Sequence, residues 1–262
     1  MRIREYYRRA AMVSVNNSIF ALFFAGLFIV FAAVLLPGRG AVLFSVPFLL
    51  YSFLSFQKYA LIKQRSLEIA EPEAVRNNEG TLFQSREMIL QFLPAPSLRL
   101  LIFRPDGLLI GEIRDLEFAK FRWFLPGFAD RLFSGDYGLF NEKNQLIAVF
   151  RWRKNIVEAS GLVSGYGILK RKGGFRLGNC WSMSFANKVL LVKSEPLFTD
   201  IKFTDAAGAS VARVRKGWMP LEWEPYIKNA NAPVLSFNEK AAPEERMAVF
   251  AVLAHMLRYR DH

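Results

Sequence analysis

The stretch that decides the fold lies near the end of the chain: Pro243, Glu244 and Glu245, then MAVFAVLAHML over residues 247–257. Proline at a first helical position and acids in a first turn predict a helix start. The eleven residues that follow are apolar on every side. As a helix they are about 16 Å long, against a bilayer core of about 30 Å. A helix that is hydrophobic all round has to be buried. Its burial must come from the chain that precedes it; a truncated third membrane span is the rival reading.

That preceding chain, from residue 98 on, is built of short segments rich in β-branched and aromatic residues. LRLLIF, LLIGEIR, YGLF, QLIAVFRWR, GYGILKR, KVLLVK, IKFT and SVARVRK are each bounded by Gly, Asn, Asp or Pro. Such segments at near-regular spacing predict strands closing into a barrel or sandwich. Three hairpins share one plan. Phe103, Asp106–Gly107, Gly111 and Arg114 form the first. Phe140, Asn141–Asn144, Ala148 and Arg151 form the second, and Phe203, Asp205–Gly208, Ala212 and Arg215 the third. In each an aromatic enters, Asp, Asn or Gly turns the backbone, a small residue marks the return strand, and Arg follows three residues later. Residues 81–93 fit either a short helix or a first strand.

The N-terminal part differs. Residues 18–36, SIFALFFAGLFIVFAAVLL, carry no charge and have the length of a membrane-spanning helix. Pro37, Gly38, Arg39 and Gly40 break the run. Residues 41–56 resume it, extended to residue 62 if Lys58 snorkels. The first run is too long for the hydrophobic part of a signal peptide, and neither run has the polar face of a soluble hairpin. Arg2, Arg4, Arg8 and Arg9 precede the first run, and Lys58, Lys63 and Arg65 close the second. By the positive-inside rule, both termini face the cytoplasm of a multi-pass protein of the cell membrane. The expected organisation is a basic N-terminus over 1–17, a transmembrane hairpin over 18–62, an extension and linker over 63–97, and a cytoplasmic β-domain over 98–262.

Repeated Asp/Asn-turn hairpins followed by a hydrophobic C-terminal helix resemble the tubby C-terminal-like fold, shared with phospholipid scramblases and LURP-one-related proteins. The resemblance covers about residues 98–260. It implies a closed antiparallel barrel around the hydrophobic terminal helix. It also implies a binding module, with phosphoinositide or other anionic-lipid contact as the family theme.

Catalytic chemistry finds little to work with. The chain of 262 residues has two histidines, His255 and His262, and one cysteine, Cys180. His255 falls within the apolar helix, where a core imidazole is expected. No His/Cys cluster has metal spacing, and the glycines between 165 and 178 lack the Gly-Lys-Ser/Thr of a phosphate loop. Gly173 and Gly174 read as a hairpin turn. Glu222 and Glu224 flank Trp223 on one face of a strand or turn. No enzyme, metal or cofactor is expected.

The net charge is +12, from 35 Lys+Arg and 23 Asp+Glu. Residues 1–72 hold 8 bases and 3 acids, so +5 belongs to the topology signal and +7 to the rest. In that remainder the bases cluster: Lys170, Arg171, Lys172 and Arg176 at a hairpin tip, Arg151, Arg153 and Lys154 ending a strand, and Arg213 and Arg215 before Trp218. Alternation puts Arg151 with Arg153, and Arg213 with Arg215, on one sheet face. The expected role is contact with anionic phospholipid at the inner membrane face, with Trp152 and Trp218 inserting at the interface. A solvated surface is the bland alternative. A regulatory or scaffold subunit that docks a protein partner is the second function, and lipid scrambling a third. Nucleic acid is not expected, since no binding motif accompanies the bases.

Overall fold

A computed structural model describes residues 1–35, 43–70, 81–95, 97–117, 135–162, 164–172, 179–185, 188–195 and 200–257. The chain divides into two compact units, one over Arg2–Ala70 and one made mainly of Glu71–His262.

The larger unit is a closed barrel of twelve strands. They are β1 (Glu87–Phe92), β2 (Arg99–Phe103), β3 (Leu109–Asp115), β4 (Gly135–Asn141), β5 (Leu146–Arg153) and β6 (Ile156–Gly161). Then come β7 (Gly165–Lys172), β8 (Asn179–Phe185), β9 (Lys188–Ser194), β10 (Asp200–Thr204), β11 (Ser210–Arg215) and β12 (Val234–Phe237). Each strand pairs antiparallel with the next, and β12 closes on β1. The undecided stretch 81–93 forms a turn and then β1, so the barrel begins inside the expected linker. β6, β8 and β12 are strands that the sequence pattern did not single out. Glu222 lies within a 3-10 turn, Leu221–Trp223, that buries the tryptophan, and Glu224 caps it; strand alternation does not apply to them.

The three hairpins of the sequence repeat share one backbone scheme. The amide of Arg104 donates to the Leu108 carbonyl at 2.8 Å, that of Asn141 to Gln145 at 3.0 Å, and that of Asp205 to Ala209 at 2.9 Å. Gly107, Asn144 and Gly208 donate back at 2.9, 3.0 and 3.1 Å, each with a positive φ of 78°, 60° and 85°. These are three-residue turns ending in a left-handed residue and a bulge. The ladder register shifts at the same place in all three: after Ile102, Leu139 and Phe203. Those large inward residues stand opposite Gly111, Ala148 and Ala212. The small residue is required at the first of these, where an added Cβ would meet Leu82 Cδ1 at 2.9 Å and the Phe140 carbonyl at 3.0 Å.

Helix α3 (Pro243–Leu257) starts where proline and the acids predicted. The Glu245 carboxylate accepts from the Ala242 amide at 2.9 Å and from Lys188 Nζ at 3.0 Å. Residues 247–254 are at most 1% exposed, and they form one core with inward residues of the strands. Phe250 meets Phe83 and Phe237 edge-on, at 6.2 and 5.7 Å between ring centres. Arg246 enters the same region, 5% exposed, donating to the Ser85 carbonyl at 2.8 Å with its guanidinium over Phe237. Burial lowers its pKa.

The other unit holds α1 (Ile3–Leu35) and α2 (Val46–Glu68), running antiparallel: Arg4 bonds to Ser66, Ser18 to Ser52, and Phe28 stacks on Phe48. The expected two spans become one candidate. Among the described residues only α1, over Ile3–Phe31, is long and apolar enough to cross a membrane. In α2, Gln57, Lys58 and Lys63 dilute the second half. Pro47 lies in the first turn of α2, where its missing N–H leaves no bond unmade. The breaker Gly38–Gly40, the Gly173–Gly174 turn, Arg176 and His262 fall outside the described residues.

Small side chains form the buried seam between these helices. Ser18, Ala21 and Ala25 are buried on α1, as are Ser45, Ser52 and Ser55 at the start of and along α2. The Ser18 hydroxyl donates to the Ser52 carbonyl at 3.0 Å, and the Ser52 hydroxyl to the Ser18 carbonyl at 2.9 Å. Large apolar residues point the other way; Phe20, Phe23, Val30, Phe53 and Leu54 are all more than half exposed.

Replacing Phe250 with Ala is expected to cost about 3–5 kcal/mol, the range for a buried aromatic. Thermal unfolding of the full chain in detergent, followed by near-ultraviolet circular dichroism, measures it.

Candidate functional site

Cross-strand register, more than local clustering, decides where the barrel's positive charge gathers. Alternation holds at β5 and β11: Arg151 and Arg153 are exposed around a buried Trp152, and Arg213 and Arg215 are half-buried around a buried Val214. The expected role of Trp152 is corrected. It is 3% exposed and stacks on His255 at 4.2 Å, because its position in β5 faces the core. Lys154 has a φ of 56° in the β5–β6 turn.

Three groups of bases differ in their acidic neighbours. Arg153 Nη1 donates to Asp136 at 2.6 Å, and Arg151 lies 4.0 Å from Asp136 and 3.9 Å from Glu158. Two bases and two acids leave this face neutral. The hydrogen bond that Arg153 donates to Asp136 raises the pKa of the arginine.

In the second group Lys170 is exposed, and the side chains of Arg171 and Lys172 fall outside the described residues.

The third group grows instead. Lys172 is opposite Cys180, Cys180 opposite Lys193, Lys193 opposite Lys202, and Lys202 opposite Arg213. A row of bases thus crosses β9 to β11 on the outer face. Lys193 and Lys202 were not singled out from sequence, since neither has another base within two positions along its strand. Asp200 accepts from Arg213 Nε at 2.9 Å and lies 3.5 Å from Lys202 Nζ, and Glu195 adds a second acid acting on Arg213. The Arg213 hydrogen bond holds the Asp200 carboxyl below its ordinary value of 3.8. The three bases Lys193, Lys202 and Arg213 outnumber these two acids. Arg215 extends the row, its guanidinium 5.4 Å from the ring of Trp218, which is 67% exposed. A cation stacked on an exposed indole joins charge to an apolar surface.

No group of three or more His, Cys, Asp or Glu is placed to hold a metal among the described residues. No family model matches the chain, and no curated protein or solved structure matches it.

Replacing Asp200 with Asn removes the acid that is bonded to Arg213. Association with anionic vesicles should strengthen about fivefold, as each base near such a surface is worth about 1 kcal/mol. Asp200 has a lowered folded pKa, so the stability it supplies is present above 3.8 and lost as pH falls through the folded value. Melting temperatures followed from neutral pH to below 3.8 should therefore drop less steeply in Asp200→Asn than in the native chain.

Proposed function

We propose that this chain is a membrane-anchored, non-enzymatic binding protein. Its helical hairpin holds it in the membrane, with both termini in the cytoplasm, and a tubby-like barrel contacts anionic lipid at the inner face. The observation that carries this reading is the inverted hairpin. Serine and alanine are buried along the seam, while phenylalanine and leucine face outward. In water that arrangement would expose a large apolar surface without gain. In lipid it is favourable, since small residues let the helices approach and hydroxyls bond across the seam.

Twelve antiparallel strands in a closed barrel and a core-buried C-terminal helix support the tubby-like resemblance. The lipid contact is assigned to the row of Lys193, Lys202, Arg213 and Arg215 with Trp218. Tethering keeps that row within reach of acidic headgroups. Arg151 and Arg153 are left out, because Asp136 and Glu158 neutralise them.

A specific observation favours the second reading, a scaffold or regulatory subunit. Ile156, Ile168 and Val189 occupy one register row on the outer face, with Leu162 and Tyr166 nearby in sequence. All five are exposed, Tyr166 by 71%. An exposed apolar cluster of this kind, with Ser184 between Ile168 and Val189, suits a protein partner.

Two measurements test the proposal. Alkaline carbonate washing should leave the full chain in the membrane pellet; release into the supernatant would overturn the anchor. Lys216→Cys in a Cys180→Ser background can carry an environment-sensitive dye beside Trp218. In nanodiscs its emission should shift to the blue with anionic lipid and not with zwitterionic lipid. Identical spectra would exclude the lipid contact, and Lys193→Glu with Lys202→Glu should abolish the shift while Arg151→Gln leaves it.

A further inference from the structure

The N-terminal bases and the bases at the end of α2 serve, in sequence, only to orient the hairpin. The antiparallel packing brings them together. Arg4 and Arg8 are one turn apart on α1, and Tyr59 and Lys63 are one turn apart on α2. Between the helices lies an open cleft of about 690 Å³, lined on its charged side by Arg2, Arg4, Arg8 and Lys63. That volume is within the range of small-molecule sites.

Its charge balance is one-sided. The single acid at the cleft, Glu5, is bonded to Arg9 at 2.8 Å. Arg2, Arg8 and Lys63 form no ion pair among the described residues. Arg4 is anchored, its Nε donating to the Ser66 carbonyl at 3.2 Å, which ties the two walls together. Lys63 Nζ stands 5.5 Å from the ring of Tyr59. The rest of the lining is apolar: Ala11, Met12 and Leu67, with the Tyr59 ring. Met12 and Leu67 are exposed, and the outward apolar band of the same helices continues from them.

We infer that this cleft binds the phosphate of an anionic glycerophospholipid, one lipid per chain. Converging guanidinium groups recognise phosphate oxygens, and the apolar wall takes the first part of the acyl chains. An amphiphile fits better than a soluble phosphate because the basic and apolar walls adjoin at the end of the candidate span. The inference rests on the membrane anchoring proposed above and is independent of the barrel.

The full chain, purified in detergent and released for native mass spectrometry, tests this directly. With phosphatidylglycerol and phosphatidylcholine in equal amounts, a single phosphatidylglycerol adduct is expected. Arg8→Gln with Lys63→Gln should weaken its binding about 25-fold, given two bases worth about 1 kcal/mol each. Lys58→Gln with Arg65→Gln removes the same charge away from the cleft and should change nothing. Circular dichroism should give equal helix content for both double variants. Equal retention of the two lipids, or equal losses in the two double variants, would overturn the site. Displacement by inorganic phosphate or glycerol 3-phosphate would identify a soluble phosphate and overturn the lipid. A chain that stays soluble without detergent refutes the anchor instead, an outcome distinct from lipid-blind binding by an embedded chain.

Discussion

A helix with no polar side needs walls on every side, and that requirement organises the larger unit. Eight strands close a barrel just narrow enough for side chains to fill. Twelve leave a lumen that side chains alone cannot pack. Helix α3 supplies what is missing, with Met247 to Ala254 in one core with Phe150, Phe203 and Met183. Neither partner is stable without the other. Ala248, Ala251 and Ala254 keep the helix slim, and Gly111, Ala148 and Ala212 keep the wall thin where large residues stand opposite. The bulged turns recur because each bends its strand pair at the same point.

Features written in consecutive residues were the ones legible in the sequence. The Asp/Asn/Gly turns, the helix start at Pro243 and most strands reveal themselves within a few positions. β12 is only four residues long, and β8 (NCWSMSF) alternates weakly because its outward residues are small. β1 (EMILQF) reads equally well as a helix end. The basic row shows the limit more sharply. Lys193 and Lys202 have no basic neighbours in their own strands and meet only through register. The conspicuous pair Arg151 with Arg153 is neutralised by acids from adjacent strands.

In the helical unit the expectation failed on the polarity of the second helix and gained on chemistry. Two spans of similar standing become one long apolar helix and a shorter, more polar companion. The companion's polarity has a location. Its serines line the seam, and its lysine and tyrosine line the cleft beside the arginines of α1. Counting bases along the chain captures their number at each end but not their convergence, which depends on which faces two antiparallel helices turn toward each other.

The order of the barrel's parts along the chain has a consequence for its biogenesis. β1 pairs with β12, and the helix that fills the lumen follows β12. A ribosome making about 5–20 residues per second needs on the order of ten seconds to pass from β1 to α3. During that time the strands made so far form at best an open sheet with two bare edges and an unfilled apolar inner face. Such edges template aggregation. α1, synthesised before the barrel, has by then left the ribosome. The barrel is thus a fold that closes only after β12 and α3 have emerged.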